Sequence, residues 1–171
     1  MDFLELVKNR YSCKKYDGEP VSQADLDAIL EAGRLAPTAK NLQEQRIYVM
    51  RSSEALANVD ELTPCRYGAP VVLVVAYDAS NVFAYPGETG RTSGVEDAAI
   101  VTTHMMLAAA AQGVKSCWVN FFDPDRARWI FGLPDNEQVV ALLDLGHAAE
   151  GAGPLSNHGK RKDLGMTVSY R

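Results

Sequence analysis

Val71-Val72-Leu73-Val74-Val75-Ala76-Tyr77 is a run without a charge and without polar alternation. A strand that is apolar on both faces must be covered on both faces. The run therefore belongs in the middle of a sheet with other elements packed above and below it. Ile47-Tyr48-Val49-Met50 reads as a second strand, and Ser116-Cys117-Trp118-Val119 as a short third one. Val139 to Leu145 is another buried strand, closed by Gly146.

The segments between these strands carry helical signals. Phe3, Leu4, Leu6 and Val7 indicate a short helix ending near Asn9. Ser22 followed by Asp25 is similar to a capping box, with Asp in place of Glu or Gln. Leu26, Ile29, Leu30 and Gly33 then keep helical spacing, and Pro37 stops that helix. Gly94 to Gln112 is the longest helix expected. Its alanines favour helix, and Gly113 is placed to end it in the left-handed conformation. Asp123 and Pro124 start a short helix reaching Phe131. The last twenty residues are polar and loop-like. This mixture predicts an α+β or three-layer domain, with residues 1–171 forming one domain.

Composition bounds the function. The net charge is -5, the opposite of a nonspecific nucleic-acid binder. No stretch is long and apolar enough to cross a bilayer, and the acidic start, Met1-Asp2-Phe3-Leu4-Glu5, does not read as a secretion signal. Cys13, Cys65 and Cys117 are odd in number and widely spaced, as expected of reduced thiols in a cytoplasmic protein. His104, His147 and His158 are equally scattered, so no metal site is expected. No P-loop, GxGxxG or Ser-His-Asp order appears.

Against that acidic background two cationic stretches stand out. Arg10-Tyr11-Ser12-Cys13-Lys14-Lys15-Tyr16 places Arg10, Ser12 and Lys14 in alternation, so an extended backbone points them one way. His158-Gly159-Lys160-Arg161-Lys162-Asp163-Leu164 lies at the other end of the chain. A phosphate monoester calls for such guanidinium and ammonium donors. Each stretch alone also reads blandly: Arg10 as a cation at a helix end, and the second run as a solvated face. Thr38 and Asn41, in the loop Ala36 to Gln43, offer donors after the second helix. Trp118 reads first as a packed strand residue rather than a stacking ring. Met105 and Met106 read as filler of the core or of an interface.

Together these segments resemble the FMN-dependent nitroreductase family. The first is similar to Arg-Arg-Ser-x-Arg/Lys-x-Phe, at Arg10, Ser12, Lys14 and the aromatic Tyr16. Ala36, Pro37, Thr38, Asn41 and Gln43 are similar to Ala-Pro-Ser-x-x-Asn-x-Gln. The long helix with Gly113 and Cys117-Trp118 resembles the family's central helix and next strand. Leu145-Gly146-His147 is similar to Leu-Gly-Tyr-Pro, and Lys160-Arg161-Lys162-Asp163-Leu164 to Pro-Arg-Lys-Pro-Leu. The chain departs from the family at Glu44 and Gln45, where Pro-Trp is usual. It also departs at Asn120, usually a small residue, and at Lys160, usually proline.

The resemblance implies a three-layer α/β/α domain with a central, mainly antiparallel sheet, working as a homodimer with FMN at the subunit interface. By it, Arg10 and Arg161 hold the FMN phosphate with Ser12 assisting, and Lys160 adds charge beside them. Lys14 lies near N1 and O2 of the flavin. Pro37, Thr38 and Asn41 come from the partner subunit. Trp118, Val119, Asn120 and Gly146 complete the cofactor set, with a backbone N–H after Trp118 near N5. The implied activity is ping-pong hydride transfer from NADH or NADPH through FMN to a nitroaromatic, a quinone or a similar electron-poor acceptor. No side chain is required as an essential acid. Rival readings are a flavin-binding or redox-sensing module with little turnover, a dehalogenase or flavin-destroying relative, and a plain small-ligand binder.

Overall fold

The computed structural model describes residues 2–87 and 90–171. Four strands form its sheet: β1 (Gln45–Met50), β2 (Val71–Asp78), β3 (Lys115–Val119) and β4 (Glu137–Gly146). Their spatial order is β1-β2-β4-β3, and every ladder is antiparallel. The apolar run quoted first is β2, with β1 on one side and β4 on the other. All of its residues from Val71 to Tyr77 are buried.

Alternate residues of the central strands feed two separate cores. Val71, Leu73, Val75, Leu143 and Leu145 face one way, against Leu26 and Ile29 of α2 (Gln23–Arg34) and Val101 and Met105 of α4 (Gly94–Ala111). Val72, Val74, Cys117 and Leu142 face the other way, against Val59 of α3 (Ser53–Leu62) and Ala127 of α5 (Pro124–Ile130). The period-2 side-chain alternation of a strand thus produces helix, sheet and helix layers. A further helix, α1 (Phe3–Asn9), precedes them and contributes no buried residue.

Local chemistry sets the element ends. The Ser22 hydroxyl accepts the Asp25 amide at 3.1 Å, and Gly113 takes the left-handed φ of 78° after α4. Asp123 accepts the amides of Asp125 and Arg126 at the start of α5. Helix α3 is not among the elements expected from sequence. Its signals are nonetheless present: Ser52 caps the Ala55 amide at 3.2 Å, and Leu56, Val59 and Leu62 recur at helical spacing on the packed side.

The chain before α2 adds to the β3 edge of the sheet. Ser12 forms a parallel bridge with Ser116, and the Cys13 amide donates to the Ser116 carbonyl at 3.0 Å. Farther on, Tyr16 bridges Ala148. Cys13 is turned inward into a small cluster with Tyr16 and Ala69, so its neighbours Ser12 and Lys14 point outward.

Candidate functional site

The extended backbone beside β3 sets the site, because it presents Arg10, Ser12 and Lys14 on one side. A cleft of about 280 Å³ opens there, lined by these three together with Tyr11, Asn157, His158 and Arg161. The two cationic stretches, from opposite ends of the sequence, therefore meet. His158 is the tie between them: its Nε2 is 3.1 Å from the Lys8 carbonyl oxygen, and its ring meets Tyr11 edge-on at 6.4 Å. The Arg161 guanidinium donates to the carbonyl oxygens of His158 and Lys160, which fixes the turn that carries it.

Among the described residues no carboxylate lines this cleft. Elsewhere Arg34, Arg46, Arg66, Arg126 and Arg128 each pair with an acidic side chain. Among the described residues, Arg10, Lys14 and Arg161 form no such pair. Collecting uncompensated cations costs mutual repulsion, and an anion in the cleft would relieve it.

A second cleft of similar size adjoins the first and shares Ser12 and Lys14 with it. Its remaining walls are Cys65, Tyr67, Cys117, Trp118, Val119, Asn120 and Phe121. Lys14 is its one lining residue of permanent charge, with Nζ 5.7 Å from the centre of the Tyr67 ring. The Tyr67 phenol and the Cys117 thiol stay neutral near pH 7. A hydrogen bond with Cys65, then burial, pushes the Tyr67 phenol up to about 12. Burial, then the nearby Asp144, pushes the Cys117 thiol up to about 12, so it is no thiolate nucleophile. Behind Cys117, its cross-strand partner Asp144 is driven up to about 9 by burial, against the opposing pull of Arg66.

Trp118 is not the core residue that strand position alone implies. It is half-buried and lines the second cleft. Its indole N–H donates to Asn120 Oδ1, and Asn120 Nδ2 donates to the Val140 carbonyl at 2.8 Å. Asn120, where the family favours a small residue, thus braces the tryptophan against β4.

Other expected residues lie elsewhere. Gly146 is enclosed: a Cβ there would stand 2.7 Å from Pro70 and 2.8 Å from Tyr16, so packing accounts for it. Lys160 is exposed and lines neither cleft. Pro37, Thr38 and Asn41 occupy a loop against the start of α4, outside both clefts. Sequence reasoning missed Tyr67 and Phe121. Tyr67 has a left-handed φ of 54° in the turn before β2; Pro64 and Gly68 mark that turn, yet nothing local shows which way the ring points.

Comparison with known proteins gives the family. The chain matches the model of the Nitroreductase family over residues 7–67 and 63–147. An NADH dehydrogenase from Thermus thermophilus is 31% identical over 188 residues, covering 90% of this chain and 90% of the relative. A nitroreductase family protein from Clostridium difficile superposes with a TM-score of 0.92 at 36% identity, covering 99% of this chain and 98% of the other. A protein from Exiguobacterium sibiricum, solved in complex with FMN, shares the fold with a TM-score of 0.84 at 22% identity, covering 100% of this chain and 98% of the other. The fold and these relatives together define an α+β oxidoreductase. The chain belongs to the Nitroreductase family.

Proposed function

We propose that this protein is an FMN-dependent oxidoreductase using NADH or NADPH, with residues 1–171 as one FMN-binding domain that works as a cytoplasmic homodimer. The observation that carries this reading is the convergence of Arg10, Lys14 and Arg161 on one carboxylate-free cleft. That donor set fits a phosphate monoester, and the adjoining neutral cleft with Trp118 and Tyr67 fits a flat ring system. Bound FMN would supply the redox chemistry, accepting hydride from the nicotinamide and passing electrons to a nitroaromatic, a quinone or another electron-poor compound.

The chain's own residues bind and orient. Arg10 and Arg161 hold the phosphate by charge-assisted hydrogen bonds, and the Ser12 hydroxyl adds a donor. Lys14, standing where both clefts meet, places a fixed cation beside the pyrimidine edge of the ring. Beside ring-cleft walls that carry no other fixed charge, such a cation favours the electron-rich reduced state. Trp118, Val119 and Asn120 form the wall beside the reacting face, and the brace from Asn120 to Val140 keeps that wall in place. Pro37, Thr38 and Asn41 complete the pocket of the partner subunit.

Mixing the flavin-free protein with FMN tests the reading. The expected result is a shifted flavin absorption band with saturable affinity, followed by NADH or NADPH oxidation once a quinone is added. A protein that leaves the FMN spectrum unchanged contradicts it. One that binds FMN but oxidises neither nicotinamide is a flavin carrier instead.

A further inference from the structure

The loop from Ala36 to Gln43 holds an unusual backbone. Lys40, Asn41 and Gln43 have φ of 52°, 57° and 54°, in the left-handed region that side chains other than asparagine avoid. Such conformations persist only where the surroundings over-determine them. Part of the restraint is internal: Thr38 Oγ1 accepts the Gln43 amide at 3.0 Å, and its carbonyl accepts the Asn41 amide at 2.9 Å. Another part comes from α4, where Asp97 Oδ1 accepts the Ala39 amide at 3.0 Å.

Glu44 follows the loop directly, and it is 0% exposed. Its Oε1 lies 3.4 Å from the Ser93 hydroxyl. Its Oε2 is buried without a partner, and so is Oδ2 of Asp97. Ser93 stands between the two residues: its hydroxyl faces Glu44 Oε1 and its carbonyl accepts the Asp97 amide at 2.8 Å, which sets the two buried carboxyl groups beside each other. Two buried carboxyls so placed do not both ionise, and one proton between them satisfies both orphan oxygens.

We propose that Glu44 and Asp97 are positioning residues that fix the cofactor loop by sharing a proton. Protonated Glu44 donates to Asp97, and the other oxygen of Asp97 holds the Ala39 amide. Removing the proton sets two buried negative charges side by side. Their repulsion separates the end of the loop from α4 and loosens the Ala39 anchor. The link to flavin rests on the reading of Pro37, Thr38 and Asn41 given above; the latch itself does not.

The surrounding charges leave this proton in place. From β1, Arg46 donates to the Glu44 backbone carbonyl at 3.3 Å and directs its guanidinium at Asp78 and Glu137. From the loop, Lys40 lies over the Phe83 ring at 4.7 Å. Before α4, Arg91 pairs with Glu96 at 3.4 Å, and the Tyr85 hydroxyl also donates to Glu96. Glu96 and Asp97 both stand in the first turn of α4, where negative charge is favoured. Burial, then the hydrogen bond with Asp97, raises Glu44 to about 7. The latch is therefore closed in mild acid and opens as pH rises through neutrality.

Amide hydrogen exchange at Ala39 and Gln43, on protein without added flavin, tests the latch at about pH 5.5 and about pH 8.5. After correction for intrinsic rates, protection in the wild type should fall about tenfold or more across that span. Glu44→Gln supplies a permanent donor to Asp97, so its protection should be the same at both pH values. Asp97→Asn is a second locked variant: its oxygen still accepts from Ala39, and its amide donates to the Glu44 carboxylate. Equal pH dependence in the wild type and in whichever locked variant folds overturns the proposal, as does unchanged protection in the wild type. FMN affinity is read separately. A dissociation constant that rises with pH in the wild type and stays flat in Glu44→Gln ties the latch to the flavin, and a flat one in both breaks that tie. Protein that binds no FMN at any pH would defeat the flavin reading while leaving the exchange result standing.

Discussion

Lys14 shows how one side chain acquires meaning from its surroundings. In sequence it is one of several cations in a short stretch. In the structure it is the fixed charge of a cleft in which the Tyr67 phenol and the Cys117 thiol stay neutral. A cation in such surroundings acts with little competition from solvent or counter-charge. Lys14→Ala should therefore lower the reduction potential of bound FMN, as followed by anaerobic dye-coupled titration. A potential equal to the wild type's would remove that electronic role. Arg10, Ser12 and Lys14 were legible as a set because an extended backbone repeats its direction every two residues. Trp118 misled for a related reason: strand position shows that a ring faces one side of a sheet, but not whether that side is filled. Here β3 is an edge strand, and half of the indole meets a cleft.

At the scale of elements, helix α4 depends on close approach. A Cβ on Gly94 would come within 2.2 Å of the Tyr77 ring on β2, whereas one on Gly33 of α2 would meet the flexible end of Met105 at 2.8 Å. Overpacking against a rigid partner typically costs about 1–3 kcal/mol, while a methionine can bend away. Urea denaturation should thus show Gly94→Ala clearly destabilised and Gly33→Ala much less so. Equal losses would contradict the packing account. Most element boundaries could be read from sequence because caps and breakers act locally: Ser22, Pro37, Gly113 and Asp123 each work within a few residues. Helix α3 escaped notice although Ser52 and its apolar spacing carried the same kind of signal. The strand order β1-β2-β4-β3 was not readable, since pairing between distant strands leaves no local mark beyond burial.

For the whole molecule, buried acids set the response to pH. Asp144 has both carboxyl oxygens buried without a partner, and burial raises it from 3.8 to about 9. The folded state therefore holds a proton that the unfolded chain has already lost over that interval. Stability is greatest below the unfolded value and falls as pH rises towards 9, by about 1.4 kcal/mol per pH unit while one proton separates the two states. Glu44 adds to the same trend between 4.5 and about 7. Asp144→Asn should lose much of the decline in urea midpoint between about pH 6 and about pH 9; an undiminished decline would contradict this. The central claim is also one of the whole molecule: the polypeptide brings Arg10 and Arg161 together to hold a phosphate. Neither basic stretch announced this alone, and His158, which joins the C-terminal segment to the end of α1, is visible only once the chain is folded. The most direct test is the FMN dissociation constant of the Arg10→Ala/Arg161→Ala double variant beside that of the wild type. With about 1.5–3 kcal/mol per charge-assisted bond and tenfold for each 1.4 kcal/mol, the account predicts FMN binding weakened by about a hundredfold or more. An unchanged dissociation constant would contradict it.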